Sequence, residues 1–237
     1  MLLIDAGNSR IKWAFAADAA WLQQGVLEIA DAAFLSRQFA TLPMPDRILV
    51  SNVAGDAVAE QIRAACVGWK RQVEFIAAQS EQCGVHNGYE QPEKLGSDRH
   101  AALIAAWQHV HAACLVVHCG TATTVDALSD DGEFRGGLIL PGIELMRQSL
   151  VAATSGLATA AGTWREFPRN TADAVTSGAI QATCGAIRSQ YELLGASGAR
   201  CLLGGGAADS IRPHLDLPLE RVDNLVLRGL QIIGTDT

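Results

Sequence analysis

Four stretches of this chain hold residues whose types and spacing could do chemistry. The first is Leu2 to Phe15, LLIDAGNSRIKWAF. Asp5 ends a short apolar run, and Ala6-Gly7-Asn8-Ser9 follow, residues suited to turns because they tolerate positive φ or hydrogen-bond locally. Gly7 lets backbone N–H groups approach an anion, Asn8 and Ser9 add side-chain donors, and Asp5 can hold a hydrated divalent cation. An ordinary hairpin whose Asp caps its own turn uses the same residues, so this stretch alone leaves the choice open. The second is Gly84 to Arg99, GVHNGYEQPEKLGSDR, dense in Gly, Pro and charge and therefore expected to be a loop. It delivers Ser97-Asp98 to the start of a helix. Taken alone, Ser97 or Asp98 is a helix cap and Arg99 a solvated first-turn charge. The third is His118-Cys119-Gly120-Thr121-Ala122-Thr123-Thr124-Val125-Asp126, a second glycine turn rich in hydroxyl donors. The fourth, Gly204-Gly205-Gly206-Ala207, allows flat approach of a nucleotide base or ribose, or forms a flexible turn.

The elements that must position these residues follow from periodicity. Leu2-Leu3-Ile4 is a buried strand, and Ile11, Trp13 and Phe15 alternate with Lys12 and Ala14 in a second. Trp21 to Ile29 adds a third. Ile48 to Val50 is a strand, Ala54 to Val67 a helix with Val58, Ile62 and Cys66 in line, and Val73 to Ile76 a further strand. Strand, helix, strand marks an α/β domain. A helix from Ser97 to about Val110 follows the polar loop. At Leu115 the pattern begins again: Ile4-Asp5-Ala6-Gly7-Asn8-Ser9 matches Val117-His118-Cys119-Gly120-Thr121-Ala122. Glu133 to Leu140 completes a second meander, and the echo predicts two glycine turns presented to one phosphate chain. Ile143 to Ala152 reads as a helix and Ser155 to Asn170 as a loop. Thr171 to Leu194 is an Ala-rich helix suited to close packing across a subunit interface. Arg200 to Leu203 is a last strand, and Arg221 to Ile233 a closing helix.

Composition narrows the classes. At 237 residues the chain can bury a sizeable core. A net charge of −7 without a Lys/Arg cluster argues against nucleic acid or anionic membrane as partner. The N-terminus lacks a basic region and Asp5 interrupts its apolar run, so no secretory signal is expected. Nor is any apolar run long enough for a membrane span. The six cysteines show no C-x-x-C spacing and sit mostly in apolar runs, as expected of reduced thiols in a cytoplasmic protein.

The set of hairpin turns, glycine run and loop-borne acid resembles the actin, sugar kinase and heat-shock chaperone superfamily. D-x-G-N-[ST]-x-x-K at Asp5 to Lys12, Y-x-x-P-x-x-L-G-x-D-R at Tyr89 to Arg99 and G-T-A-T-T-x-D at Gly120 to Asp126 are similar to the type III pantothenate kinases. So are G-G-x-I-x-P-G at Gly136 to Gly142 and Asn170-Thr171. These five motifs stand in order across the whole chain. The resemblance implies an α/β fold of two ribonuclease-H-like halves, residues 1–112 and 113–237, with mixed sheets flanked by helices. It implies phosphorylation of pantothenate by ATP, the first step of coenzyme A biosynthesis, in a homodimer that encloses pantothenate at the subunit interface. Carried over by position, Asp5, Ala6, Gly7, Asn8, Ser9, Arg10, Ile11 and Lys12 form the first phosphate loop, with Asp5 serving Mg2+, and Thr121 contacts ATP phosphates. Tyr89, Gly96, Ser97, Asp98, Arg99 and Thr171 line the pantothenate pocket, with Asp98 as general base. Arg99 beside it suits a substrate with a carboxylate at one end and a hydroxyl at the other.

One position departs from the family. The second loop usually starts with an Asp associated with a bound monovalent cation, K+ or NH4+; here His118 stands there, so the cation requirement is in doubt. Two rival functions remain at this level. One is a kinase for another small hydroxy acid, and the other a nucleotide-binding transcriptional accessory protein with little catalysis, which would not need Asp98 and Arg99.

Overall fold

A computed structural model describes residues 1–18, 20–154 and 162–236. In chain order the elements are β1 (Leu2–Ala6), β2 (Arg10–Ala17), β3 (Ala20–Glu28), α1 (Leu35–Phe39), β4 (Ile48–Asn52), α2 (Asp56–Cys66) and β5 (Val73–Phe75). The short strands β6 (Glu81–Gln82) and β7 (Val85–Asn87) precede α3 (Ser97–Val110). Then come β8 (Cys114–Cys119), β9 (Ala122–Leu128), β10 (Glu133–Pro141), α4 (Ile143–Ala153) and α5 (Thr171–Leu194). β11 (Arg200–Gly204), α6 (Ala208–Ile211), β12 (Leu219–Arg221) and α7 (Leu225–Thr235) close the chain.

The chain divides into two compact units, Met1–His109 with Asn224–Thr237, and Val110–Asp223. The sequence reading ran its second half from 113 to the C-terminus. The contacts instead return α7 to the first unit, where it packs on β1 and β4.

In the first unit the sheet order is β3-β2-β1-β4-β5. β1 pairs antiparallel with β2 and parallel with β4, so it is central and covered on both sides. That is why LLI reads as an unbroken apolar run and not as an alternation. Leu2, Ile4 and Ala6 join Ile11, Trp13, Phe15, Phe39 and Ile62 in one core. Each large side chain buried this way contributes about 1.5–3 kcal/mol. α7 and α3 touch through their backbones, since a Cβ on Gly229 would lie 1.9 Å from the Ala101 carbonyl oxygen.

The second unit repeats this topology. β8, β9 and β10 form an antiparallel meander, and β11 and β12 add to β8 in parallel. The order β12-β11-β8-β9-β10 mirrors the first sheet strand for strand. Its core gathers Leu115, Val117, Val125 and Leu203 under Ile180, Cys184 and Ile187 of α5. Six residue pairs that echo in sequence therefore sit in equivalent strand–turn–strand units. Two expectations are corrected. Arg221 ends strand β12, and the closing helix starts only at Leu225. The segment expected to be loop from Gly84 contains β7. Of the loop expected over 155–170, residues 155–161 lie outside the described residues. Among the described residues, no helix is long and apolar enough to cross a membrane.

Candidate active site

The chemistry-bearing residues of the first unit gather around Asp5. Its backbone is paired with Lys12 on one side and Ser51 on the other. Burial first, and then the neighbouring Asp98 charge, push the Asp5 carboxyl up to about 7 against the opposing pull of Lys12. Two carboxylates and a lysine are thus within electrostatic reach of each other. A desolvated carboxyl beside a like charge is a site that a divalent cation would relieve. Among the described residues there is no cluster of three or more metal-ligating side chains.

The turn after Asp5 is open. Asn8, Ser9 and Arg10 are exposed, while Ala6 and Ile11 are buried and pair with each other in the hairpin. The Gly7 N–H is donated to the Arg10 carbonyl at 3.0 Å, which closes the turn. Arg10 forms an exposed ion pair with Glu28 at 2.9 Å, worth at most about 1 kcal/mol. Lys12 Nζ donates to Asn224 Oδ1 at 3.3 Å.

Asp98 stands in the first turn of α3, and its Oδ1 accepts the Arg99 N–H at 2.8 Å. A side chain on Gly96 would collide with that oxygen, the built Cβ lying 2.6 Å away. Gly96 therefore leaves the slot that the carboxylate occupies. Ser97 shares a hydrogen bond with Ser51 at 2.9 Å, which fastens the start of α3 to β4 beside Asp5. Arg99 is buried, its Nη1 donates to the Tyr89 hydroxyl at 2.6 Å, and its guanidinium lies 5.5 Å from the Tyr89 ring centroid. Asp5, Lys12, Tyr89, Gly96, Ser97, Asp98 and Arg99 are all in this one unit. Ser51 and Asn224 were missed in the sequence. The signal for Ser51 was its place at the end of an apolar run, as Asp5 ends its own.

Thr121, His118 and Thr171 belong to the second unit. The turn between β8 and β9 is closed by the Gly120 N–H donating to the Ala122 carbonyl, and the Gly142 N–H donates to the Thr121 carbonyl at 2.8 Å. A Cβ on Gly142 would lie 2.3 Å from the Gly120 oxygen, so this glycine lets the start of α4 rest on the turn. Thr121 is exposed on it. The His118 ring lies against Gly120, with Nε2 3.2 Å from where a Cβ would stand. Asp126 is buried over Gly137, where a Cβ would overlap its Oδ1, so two motifs 11 positions apart form one contact. The glycine run is mostly spent on chain packing. A Cβ on Gly205, at φ +92°, would lie 2.4 Å from the Cys119 carbonyl oxygen and one on Gly204 2.8 Å from the Val222 carbonyl oxygen, which leaves Gly206 in open space. Thr171 opens α5, capped by Asn170, whose Oδ1 accepts the Asp173 N–H at 2.9 Å.

A duplicated strand–turn–strand unit in two mixed sheets flanked by helices is the fold of actin-like ATPases and sugar kinases. Solved structures agree on the fold. One from Sinorhizobium meliloti, provisionally described as a 2-dehydro-3-deoxygalactonokinase, aligns over 98% of this chain and 97% of its own with TM-score 0.61 at 17% identity. Another from Campylobacter jejuni, provisionally described as a Baf family transcriptional activator, aligns over 98% and 96% with TM-score 0.60 at 24% identity. The family model for type III pantothenate kinase matches residues 1–193. The type III pantothenate kinase of Aromatoleum aromaticum is 47% identical over 237 residues, covering 100% of this chain and 98% of that one. The chain belongs to the type III pantothenate kinases.

Proposed function

We propose that this chain transfers the γ-phosphoryl group of ATP to the primary hydroxyl of pantothenate, with Asp98 as general base and Arg99 as reader of the pantothenate carboxylate. The observation that supports this is the Ser97–Ser51 hydrogen bond, which fastens the start of α3, with Asp98 and Arg99, to the strand paired with Asp5, while Arg99 holds the Tyr89 hydroxyl. Phosphoryl transfer asks a protein for position and charge neutralisation more than for covalent chemistry. Asp98, held by the Gly96 slot and the Arg99 N–H, accepts the hydroxyl proton as the oxygen attacks. Arg99, ordered against the Tyr89 hydroxyl, offers its fork to the carboxylate at the far end. The open turn Gly7 to Arg10, with Lys12, offers phosphate N–H, hydroxyl and ammonium donors, and Thr121 offers an exposed hydroxyl on the second unit's own turn. Mg2+, held by Asp5, would neutralise phosphate charge. His118 fills the position of the family's monovalent-cation carboxylate, and a neutral imidazole is a poor ligand for a hard alkali ion; K+ or NH4+ is not required in this reading.

Pantothenate and ATP are the partners of this reading, and a second copy of the chain is the third. α4 buries none of its residues, and Leu145, Leu150, Ile139 of β10 and Phe167 are exposed in the same unit. An apolar set of this kind suits a homodimer face. Sedimentation should give about twice the 25.0 kDa chain mass; an active monomer would exclude a shared site. The decisive assay is ADP release with pantothenate against a panel of sugars and hydroxy acids. A sugar preferred over pantothenate would overturn the reading.

A further inference from the structure

The Tyr89–Arg99 pair rests on a frame whose parts have no role in the scheme above. β6 and β7 span only two and three residues, too few to hold themselves in water. Their turn has Cys83 at φ 50° and Gly84 at φ 82°, the backbone of a two-residue type I′ hairpin. α3 grips this hairpin twice. Gln108 Nε2 donates to the Cys83 carbonyl at 3.1 Å, and His100 Nε2 meets Gln82 Oε1 at 2.9 Å. His100 is the residue immediately after Arg99, so the second grip fixes the hairpin to the same helical turn that carries Arg99.

From the last residue of the hairpin a single side chain ties three points of the chain. Asn87 is 8% exposed. Its Nδ2 donates to the Gln79 carbonyl at 3.1 Å and to the Pro92 carbonyl at 3.0 Å, and its Oδ1 accepts the Tyr89 N–H at 3.2 Å. Residues before the hairpin, after it and at Tyr89 itself are gathered on one amide. All of its hydrogen bonds go to backbone, which fixes main-chain position and not merely side-chain packing. Tyr89 has no helix or strand of its own to hold it. The flexible Arg99 side chain loses considerable rotamer freedom when ordered, and a preplaced hydroxyl lowers that cost on binding.

We propose that Asn87 is a positioning residue for recognition of the substrate carboxylate: it fixes the Tyr89 backbone, and the Tyr89 hydroxyl in turn aims the Arg99 guanidinium. The inference rests on the reading that Arg99 binds the pantothenate carboxylate. The Asn87 side chain is buried and its hydrogen bonds are spent on backbone, so its route to the carboxylate is through Tyr89 and Arg99. A carboxylate-dependent KM effect with kcat kept is the signature of lost uniform binding.

The test is steady-state kinetics of Asn87→Ala, Arg99→Ala and the double variant, with pantothenate and with pantothenol, which lacks the carboxylate. Asn87→Ala should raise the pantothenate KM about 10-fold or more, with kcat, the ATP KM and the pantothenol KM each within about 3-fold of wild type. In the Arg99→Ala background it should add less than about 3-fold, since contacts acting as one unit are non-additive. Arg99→Ala alone checks the underlying reading: an unchanged pantothenate KM there sinks the reading whatever Asn87 does. A raised KM in Arg99→Ala with a normal one in Asn87→Ala overturns the positioning role alone. Parallel losses for both acceptors and for ATP overturn it too, as they report general unfolding. Should the alanine variant not fold, Asn87→Asp, which keeps an acceptor for Tyr89 and loses both donors, is judged by the same pantothenate-to-pantothenol contrast.

Discussion

Replacing Gly96 by alanine should separate catalysis from stability. The added methyl would stand 2.6 Å from Asp98 Oδ1 and 3.8 Å from its Cγ. Non-bonded contacts settle near about 3.5 Å, so the oxygen has to retreat by about 0.9 Å. That retreat also weakens the 2.8 Å bond from the Arg99 N–H that orients it. Misplacement of a reacting group by about 1 Å costs on the order of 10²-fold in rate. The backbone raises no objection, because Gly96 is not among the glycines at positive φ. Gly→Ala then stabilises by about 0.4–1 kcal/mol through the unfolded chain, against about 1 kcal/mol for the weakened hydrogen bond. The two nearly cancel. Saturating pantothenate and ATP in an ADP-release assay should show kcat down about 100-fold, while Tm stays within a few degrees and the ATP KM is unchanged. Asp98→Asn should cost roughly 10²–10⁴-fold, and Gly96→Ala should add little on top of it. Wild-type turnover in a well-folded Gly96→Ala protein would refute the general-base geometry. A large fall in Tm would show instead that Gly96 serves the fold.

Other predictions follow from single residues. If His118 replaces the monovalent-cation carboxylate, turnover should be similar in choline, sodium, potassium and ammonium chloride at fixed ionic strength, and His118→Asp should introduce a potassium dependence; strong activation of the wild type by potassium would contradict this. Burial pushes the wholly buried His100 down to about 4 from its ordinary 6.5. The folded state therefore binds fewer protons than the unfolded one between those values, and stability present above pH 6.5 is lost as pH falls through about 4, on the order of 3 kcal/mol in all. Thermal melts should accordingly fall less steeply between pH 6.5 and 4 in His100→Gln than in the wild type, and parallel slopes would refute the assignment.

The parts of the site legible in the sequence were those encoded by local chemistry. Asp5 and Gly7 announce a strand end and a turn, and Gly96-Ser97-Asp98 announces the start of a helix. What stayed hidden depends on partners distant in the chain. Nothing around Asn87 separates a residue tying Gln79, Tyr89 and Pro92 from any loop asparagine. Ser51 matters because Ser97 is 46 positions away and within hydrogen-bond reach. β12 exists through its parallel pairing with β11, and its Leu-Glu-Arg has no period to announce it. The glycine run misled for a related reason. Glycine shows in sequence that a side chain is excluded, but not by what, and at Gly204 and Gly205 the excluding groups are carbonyls of the same chain.

The two hairpins show how a repeated backbone can hold unlike chemistry. In the first, Asp5 is flanked across the sheet by Lys12 and Ser51, so a charge of each sign and a hydroxyl share one strand end. In the second, His118 is flanked by Thr124 and Gly204, a hydroxyl and no side chain at all. The strand order is the same in both, and each turn is closed by its glycine N–H, onto the Arg10 carbonyl three residues on in the first and the Ala122 carbonyl two residues on in the second. What differs is the electrostatics: ionic in the first turn, and in the second built from backbone donors, hydroxyls and an imidazole packed on Gly120. A turn that relies on backbone and hydroxyl groups can bind phosphate without fixing a carboxylate beside it, which would repel the anion unless a cation intervened.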